Sequence, residues 1–241
     1  MEFSFLQCSE NGLTVAFKNE ISEDVNGRVS ALCAALEQKN IPGIKDLIPG
    51  FASLTICYDC TVISSKKLKR VVTKAASSAV SGSKTIKRVF IIPVCYEEPY
   101  CPDLENVCRH SGLSRQQVID LHSSRDYLIY MLGFLPGFAY LGGMDERLET
   151  PRLENPRTAI PAGSVGIGGK QTGIYPVESP GGWQLIGRTP LRVCDLSKEE
   201  PILYSAGDYI RFKPISKAEL DETEAAVKSG KYSVEVLEKK A

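Results

Sequence analysis

Apolar and polar positions alternate at the start of the chain, predicting short strands over residues 3–8 and 13–17 that meet at Asn11-Gly12. Asn-Gly supplies the positive backbone angles of a tight hairpin turn. The period then changes. Val25, Val29, Leu32, Cys33 and Leu36 recur at helical spacing behind Ser22, whose hydroxyl suits an N-cap. Glu23 and Asp24 fall in the first turn, where the helix dipole favours negative charge. Pro42-Gly43 reads as the end of that helix, and residues 44–48 and 52–58 as a second hairpin across Pro49-Gly50. A second helix shows Leu68, Val71, Val72, Ala75, Ala76 and Ala79 on one face; residues 84–88 then lead into an apolar strand over 89–94. Strand, helix, two strands, helix, strand predicts a ferredoxin-like α/β sandwich.

Beyond it the pattern is first helical, then β. Residues 103–110 read as a short helix, and Ser114-Arg-Gln-Gln117 has the form of a capping box. The helix it opens carries Val118, Ile119 and Leu121 and ends around His122. From Tyr127 onward, turn signals break short apolar segments about every eight to twelve residues, the rhythm of a barrel or sandwich. Segments 202–204 and 209–213 flank a turn at Ser205-Ala-Gly-Asp208, and a last amphipathic helix opens at Ser216, with Glu219 completing a box, and runs to about Lys228. The fold class is therefore α+β. A first domain is expected over residues 1–88, and a β-barrel domain with inserted helices over 89–241.

Composition narrows the function classes. Lys plus Arg and Asp plus Glu balance at 29 each, so no global field favours nucleic acid or an anionic membrane. No run approaches the roughly 18 apolar residues of a membrane span. The first residues lack the basic-then-apolar order of a secretory signal, so the cytoplasm is the expected location. In that compartment the eight cysteines are expected as reduced thiols filling small apolar positions. Cys57-Tyr-Asp-Cys60 lies on a strand pattern, without the helix start that lowers a thiol pKa in thioredoxin-like pairs. Cys95, Cys101, Cys108 and His110 lack the paired spacing of a zinc site, so no metal is expected.

Residues 133–190 hold 12 of the 20 glycines and 7 of the 14 prolines. Such a density suits rigid loops that hold backbone groups against a ligand or partner, or else a barrel with many tight turns. Three phrases stand out: Gly133-Phe-Leu-Pro-Gly-Phe-Ala-Tyr-Leu-Gly-Gly143; Pro161-Ala-Gly-Ser-Val-Gly-Ile-Gly-Gly-Lys-Gln-Thr-Gly-Ile-Tyr-Pro176; and Ser179-Pro-Gly-Gly-Trp-Gln-Leu-Ile-Gly-Arg-Thr-Pro190. Together they resemble the family of the 5-oxoprolinase B subunit, the kinase inhibitor KipI and the part of urea carboxylase once called allophanate hydrolase subunit 1. The resemblance extends through Pro102-Asp-Leu-Glu105, Leu121-His-Ser123 and Ile41-Pro-Gly-Ile44. Two loops depart from the family pattern, at Glu10-Asn-Gly-Leu-Thr-Val and at Glu97-Glu-Pro-Tyr-Cys101. The resemblance implies a cyclophilin-like second domain, without implying that fold's isomerase activity.

Candidate chemistry concentrates in the same stretch. Lys170 and Gln171 follow Gly166-Ile-Gly-Gly169, but Ser164 and Gln171 stand where a Walker A loop needs Gly and Ser or Thr. The amides of Gly168 and Gly169 can still cradle an anion beside Lys170, or Lys170 is simply an exposed loop lysine. Arg188 can hold a carboxylate or phosphate bidentately, or brace two turns. Gln171, Tyr175, Ser179 and Trp183 offer hydrogen bonds and a flat wall to a small ring. His122 is the better acid/base candidate of the two histidines, placed where a helix dipole stabilises its charged form, or it caps the helix. Phe134, Phe138 and Tyr140 suit a hydrophobic wall or a subunit interface. His122, Lys170 and Arg188 are thus the expected catalytic set, with Gly168, Gly169, Gln171, Tyr175, Ser179 and Trp183 binding substrate.

By resemblance the chain is the B subunit of an ATP-dependent 5-oxoprolinase, with ATP and its Mg as cofactor and a C-type subunit sharing the site in a complex that also holds an A-type subunit. Phosphorylating the amide oxygen would turn the unreactive lactam into an electrophile that water can attack. No Met-Lys-Met biotin phrase is present. The alternative is a KipI-type regulator that docks on a sensor histidine kinase and inhibits it.

Overall fold

Leu13 and Val15 face Ile56 and Leu54 across neighbouring strands, and this apolar stripe seats the helices of the first unit. The computed structural model describes residues 2–20, 22–78 and 87–239, so Ala79 and residues 84–86 lie outside the described residues. Strands β1 (Ser4–Ser9) and β2 (Gly12–Ala16) form the hairpin at Asn11-Gly12. Helix α1 (Glu23–Glu37) is capped by Ser22, whose hydroxyl accepts from the Val25 amide. It stops at Glu37, before Pro42-Gly43. Strands β3 (Ile44–Pro49) and β4 (Ser53–Tyr58) and helix α2 (Ser65–Ser78) follow. The antiparallel order β1-β2-β4-β3 buries Leu13, Val15, Leu54 and Ile56 with Val29, Leu32 and Leu36 of α1 and Leu68 and Val72 of α2.

This is the ferredoxin-like strand order with one exchange. The apolar strand expected to complete it, residues 89–94, belongs to the other unit, and β1 stands beside β2 in its place.

The second unit is built on β5 (Lys87–Cys95). Helices α3 (Leu104–Ser111) and α4 (Arg115–Ser123) come next, the latter opened by the Ser114–Gln117 capping box. Strands β6 (Tyr127–Leu132), β7 (Ala139–Gly142), β8 (Arg157–Ile160), β9 (Ser164–Gly168), β10 (Gln171–Ile174), β11 (Ser179–Gly181), β12 (Gln184–Arg188) and β13 (Tyr209–Ile215) follow. Helix α5 (Lys217–Lys228), opened by the Ser216–Glu219 box, and β14 (Val236–Lys239) finish it. The segment 202–204 forms only an isolated bridge, Ile202 to Cys194.

The eight-stranded sheet runs β10-β9-β12-β5-β13-β6-β7, with β14 against the first half of β5. Its ends approach each other: a Cβ on Gly173 of β10 would lie 3.3 Å from the Ala139 carbonyl oxygen of β7. The sheet is therefore a nearly closed barrel. Ile92, Ile129, Val165, Ile167, Ile174, Ile186 and Phe212 fill it together with Leu104, Val107 and Val118 of the helices. Strands β8 and β11 pair separately as a two-stranded ribbon.

One buried carboxylate holds that ribbon to the barrel. Asp103, at the start of α3, accepts from the Leu185 amide of β12 at 2.7 Å and from Arg157 Nη2 of β8 at 2.7 Å. It is 4% exposed, so removing it leaves the buried Leu185 amide without its acceptor and the half-buried Arg157 without its counter-charge. Asp103→Ala is expected to destabilise the protein by about 3 kcal/mol, lowering Tm in a thermal melt by roughly 10 °C.

Candidate functional site

The glycines of the Gly-rich phrase alternate with core residues. Val165 and Ile167 of β9 point into the barrel, so Gly166 and Gly168 point out. A Cβ on Gly168 would lie 2.4 Å from the Trp183 indole; on Gly173 it would lie 3.2 Å from the same ring. The indole thus rests where these strands carry no side chain. Phe138 and Tyr175 meet it edge-on at 5.6 and 6.1 Å, and Ile160 of the ribbon and Leu185 complete the cluster. Trp183 is 5% exposed, and the Arg152 guanidinium sits 5.9 Å from its ring. Burial pushes the Tyr175 phenol's pKa up.

The expected substrate wall is therefore mostly interior. Tyr175, Trp183 and Ser179 are buried, and the Ser179 hydroxyl has no hydrogen-bond partner among the described residues. Gly168 backs the indole. Gly169 has φ +62°, as the hairpin turn requires, and its amide donates to the Thr150 carbonyl at 2.8 Å. The Gly169 amide is therefore engaged within the fold, and the indole covers the side of Gly168 that lacks a side chain. Lys170 is exposed on the same turn, 3.8 Å from Glu149, with Gln171 half-buried beside it.

The three expected catalytic residues do not converge. Arg188 pairs with Ser164, at the opposite end of β9 from the turn that carries Lys170. At about 3.3 Å per residue, the strand separates them by more than about 13 Å. Arg188 lies over the Tyr100 ring at 5.6 Å, and the Lys217 ammonium stands 6.0 Å from the same ring.

His122 is sealed in the barrel core. Its imidazole stacks on Phe212 at 4.5 Å and is fully buried. Thr172 Oγ1 donates to the Gly166 carbonyl, so it accepts from His122 Nε2–H at 2.8 Å, and Nδ1 accepts from the Tyr96 hydroxyl at 2.7 Å. These bonds specify the neutral Nε2–H tautomer. Burial lowers the pKa from the usual 6.5 to about 3. The expected dipole-stabilised imidazolium is thus reversed: at the inner end of α4, desolvation outweighs the helix terminus, and no substrate reaches the ring.

All eight cysteines are free thiols, and burial pushes Cys33 up to about 12 and Cys101 up to about 11. Among the described residues no three His, Cys, Asp or Glu side chains stand close enough to hold a metal ion, and no helix is long and apolar enough to cross a membrane.

The family profile for the carboxyltransferase domain, subdomain C and D, matches residues 3–204. The chain belongs to this family. Within the carboxyltransferase C and D family, the 5-oxoprolinase B subunit of Bacillus subtilis is 42% identical over 227 residues, covering 90% of this chain and 95% of its own. The solved structure of TTHA0988 is 36% identical with a TM-score of 0.75; the match covers 85% of this chain but only 40% of that one. The urea amidolyase of K. lactis shares the fold, with a TM-score of 0.82 at 23% identity, covering 98% of this chain and 16% of that one. This chain thus spans well under half of those two longer chains.

In this member of the carboxyltransferase family, sequence reasoning missed several polar residues. Asp103 lay inside a phrase already singled out but was read only as a helix start. Arg152, Arg157 and Tyr100 carried no local signal, because their partners lie far along the chain. Cations stand near both ends of β9: Lys170 and Arg152 near the β9–β10 turn, and Arg188 with Lys217 about Tyr100.

Two measurements check this geometry. Gly168→Ala forces the indole from its seat and is expected to destabilise by about 1–3 kcal/mol. Trp183 is the only tryptophan, so its fluorescence maximum should shift to the red. His122 gives a pH signature. The unfolded chain takes up a proton on this ring below pH about 6.5 while the folded chain does not, so stability is lost as pH falls from there toward 3. Urea unfolding should show a loss of about 2 kcal/mol from this group between pH 6.5 and 5, with a shallower slope in His122→Gln.

Proposed function

We propose that this chain is the B subunit of an ATP-dependent 5-oxoprolinase, opening the lactam of 5-oxoproline to L-glutamate together with a C-type subunit that completes the site. The near full-length likeness to the Bacillus subtilis protein carries the reading. The geometry supports the need for a partner. His122 is inaccessible, and Lys170 and Arg188 cannot grip the same small anion.

The Gly-rich turn does not fit a triphosphate, because its amide at Gly169 and its open side at Gly168 are both used within the fold. Nucleotide and Mg are accordingly assigned to surfaces that this turn does not provide. Arg188 has no carboxylate partner among the described residues, and a half-buried guanidinium left so is suited to receive an anionic oxygen. Lys170 serves the other end of the same wall.

Reconstitution tests the proposal. Purified chain mixed with its A-type and C-type subunits, ATP and 5-oxoproline should release glutamate and phosphate. Equal turnover without this chain would refute its role. Arg188→Ala and Lys170→Ala are each expected to lower turnover about 100-fold or more while leaving Tm in place. A large fall in Tm for Arg188→Ala would assign it to bracing instead.

A further inference from the structure

Helix α2 differs from α1 and α5 in its charge. Between Ser65 and Ser78 it carries Lys66, Lys67, Lys69, Arg70 and Lys74 and no acidic residue. The other two helices offset their cations one turn away: Arg28 pairs with Asp24, Lys217 with Asp221 and Lys228 with Glu224. Among the described residues no ion pair reaches any of the five α2 cations. The Lys69 ammonium rests 5.7 Å from the Phe5 ring.

Burial fixes which side of the helix faces outward. Leu68, Val72, Ala75 and Ala76 are packed in the core of the first unit. Lys66, Arg70 and Lys74 are exposed and recur at every fourth residue, so they form one row along the opposite side, about 6 Å apart by the helical rise. Lys67 and Lys69 flank that row, one on either side. The hydroxyls on the same face are turned to the backbone: Thr73 Oγ1 donates to the Lys69 carbonyl at 2.9 Å, and Ser77 Oγ to the Thr73 carbonyl at 2.9 Å. The face therefore presents cations and no competing group. Like charges one turn apart repel and weaken a helix, and an external row of anions would remove that repulsion.

We propose that the row Lys66, Arg70 and Lys74 docks an acidic helix of a partner protein, one whose carboxylates recur at every fourth residue. Such a helix repeats its charges at the same spacing of about 6 Å, so each carboxylate meets a cation. The rest of the chain decides against a longer polyanion. With five of the 29 basic residues on α2, it holds 24 against 29 acidic residues. A nucleic-acid duplex or an anionic membrane extends past one helix face and meets that excess of negative charge, whereas a partner helix covers only the row. The exposed positions of α2 also carry no aromatic ring to stack on bases and no apolar side chain to enter lipid. The helix belongs to the first unit, which holds none of the residues assigned above to 5-oxoproline chemistry, and its docking role does not depend on that reading.

Fluorescence anisotropy of the full chain with a dye-labelled alanine-based peptide of about 20 residues, glutamate at every fourth position, tests this. Wild type should bind it, and more weakly as salt is raised. The triple variant Lys66→Glu, Arg70→Glu, Lys74→Glu is expected to raise Kd at least about 30-fold. Lys66→Gln, Arg70→Gln, Lys74→Gln removes the charges without adding new ones; Kd should rise about 10-fold while Tm holds, because the three side chains are exposed. Reversing three exposed lysines elsewhere, Lys39→Glu, Lys198→Glu, Lys231→Glu, alters net charge by the same amount and should leave Kd within about 3-fold. The proposal is overturned if wild type does not bind the peptide, if either α2 triple variant binds it as tightly as wild type, or if the off-helix variant loses as much. A DNA duplex or phosphatidylserine vesicles binding as tightly as the peptide at equal salt would make the occupant a nucleic acid or a membrane, and would overturn it as well.

Discussion

The contact between the Trp183 indole and the bare backbone of β9 and β10 organises the outer side of the barrel. An aromatic ring can lie against a strand only where alternate residues lack side chains, and Gly166, Gly168 and Gly173 meet that condition. Once the ring is seated, Phe138 and Tyr175 stand edge-on to it, and Ile160 carries the β8–β11 ribbon over it. Asp103 then anchors the ribbon through Arg157. The glycines are thus a packing device first. Their chemistry toward ligands is limited by the bonds they already make.

Much of the fold was legible because its signals are short-range. The caps at Ser22, Ser114 and Ser216 form with their expected partners, since a capping hydrogen bond spans only three residues. The strand partner of β5 was not legible. Its parallel partner, Tyr209–Ile215, lies over a hundred residues away, and nothing in an apolar run of six states which sheet will take it. Strand β14 carried no alternation to read, for its side chains are mostly exposed.

The Gly-rich stretch was legible as one structural region, but the setting of its residues was not. Composition marked residues 133–190, and those residues do build the barrel wall, the ribbon and the protruding Phe134 loop. A missing side chain looks the same in sequence whether a ligand or a tryptophan fills the space, and at Gly168 the space holds the Trp183 indole. His122 failed for a related reason. Sequence placed it at a helix terminus, where the dipole favours charge, but that terminus faces inward, and Tyr96 and Thr172 hold the ring neutral. Direction into or out of a barrel depends on closure, which no local window contains.

The pairing of β14 with β5 has a topological consequence. Lys239 is the cross-strand neighbour of Lys87, so the barrel unit's first and last described residues lie side by side in one antiparallel pair. A module entered and left through adjacent strands can be spliced into another polypeptide, or cut and rejoined in circular order, without stretching its own framework. The same architecture is then free to occur as a separate chain or as a passage within a much longer one.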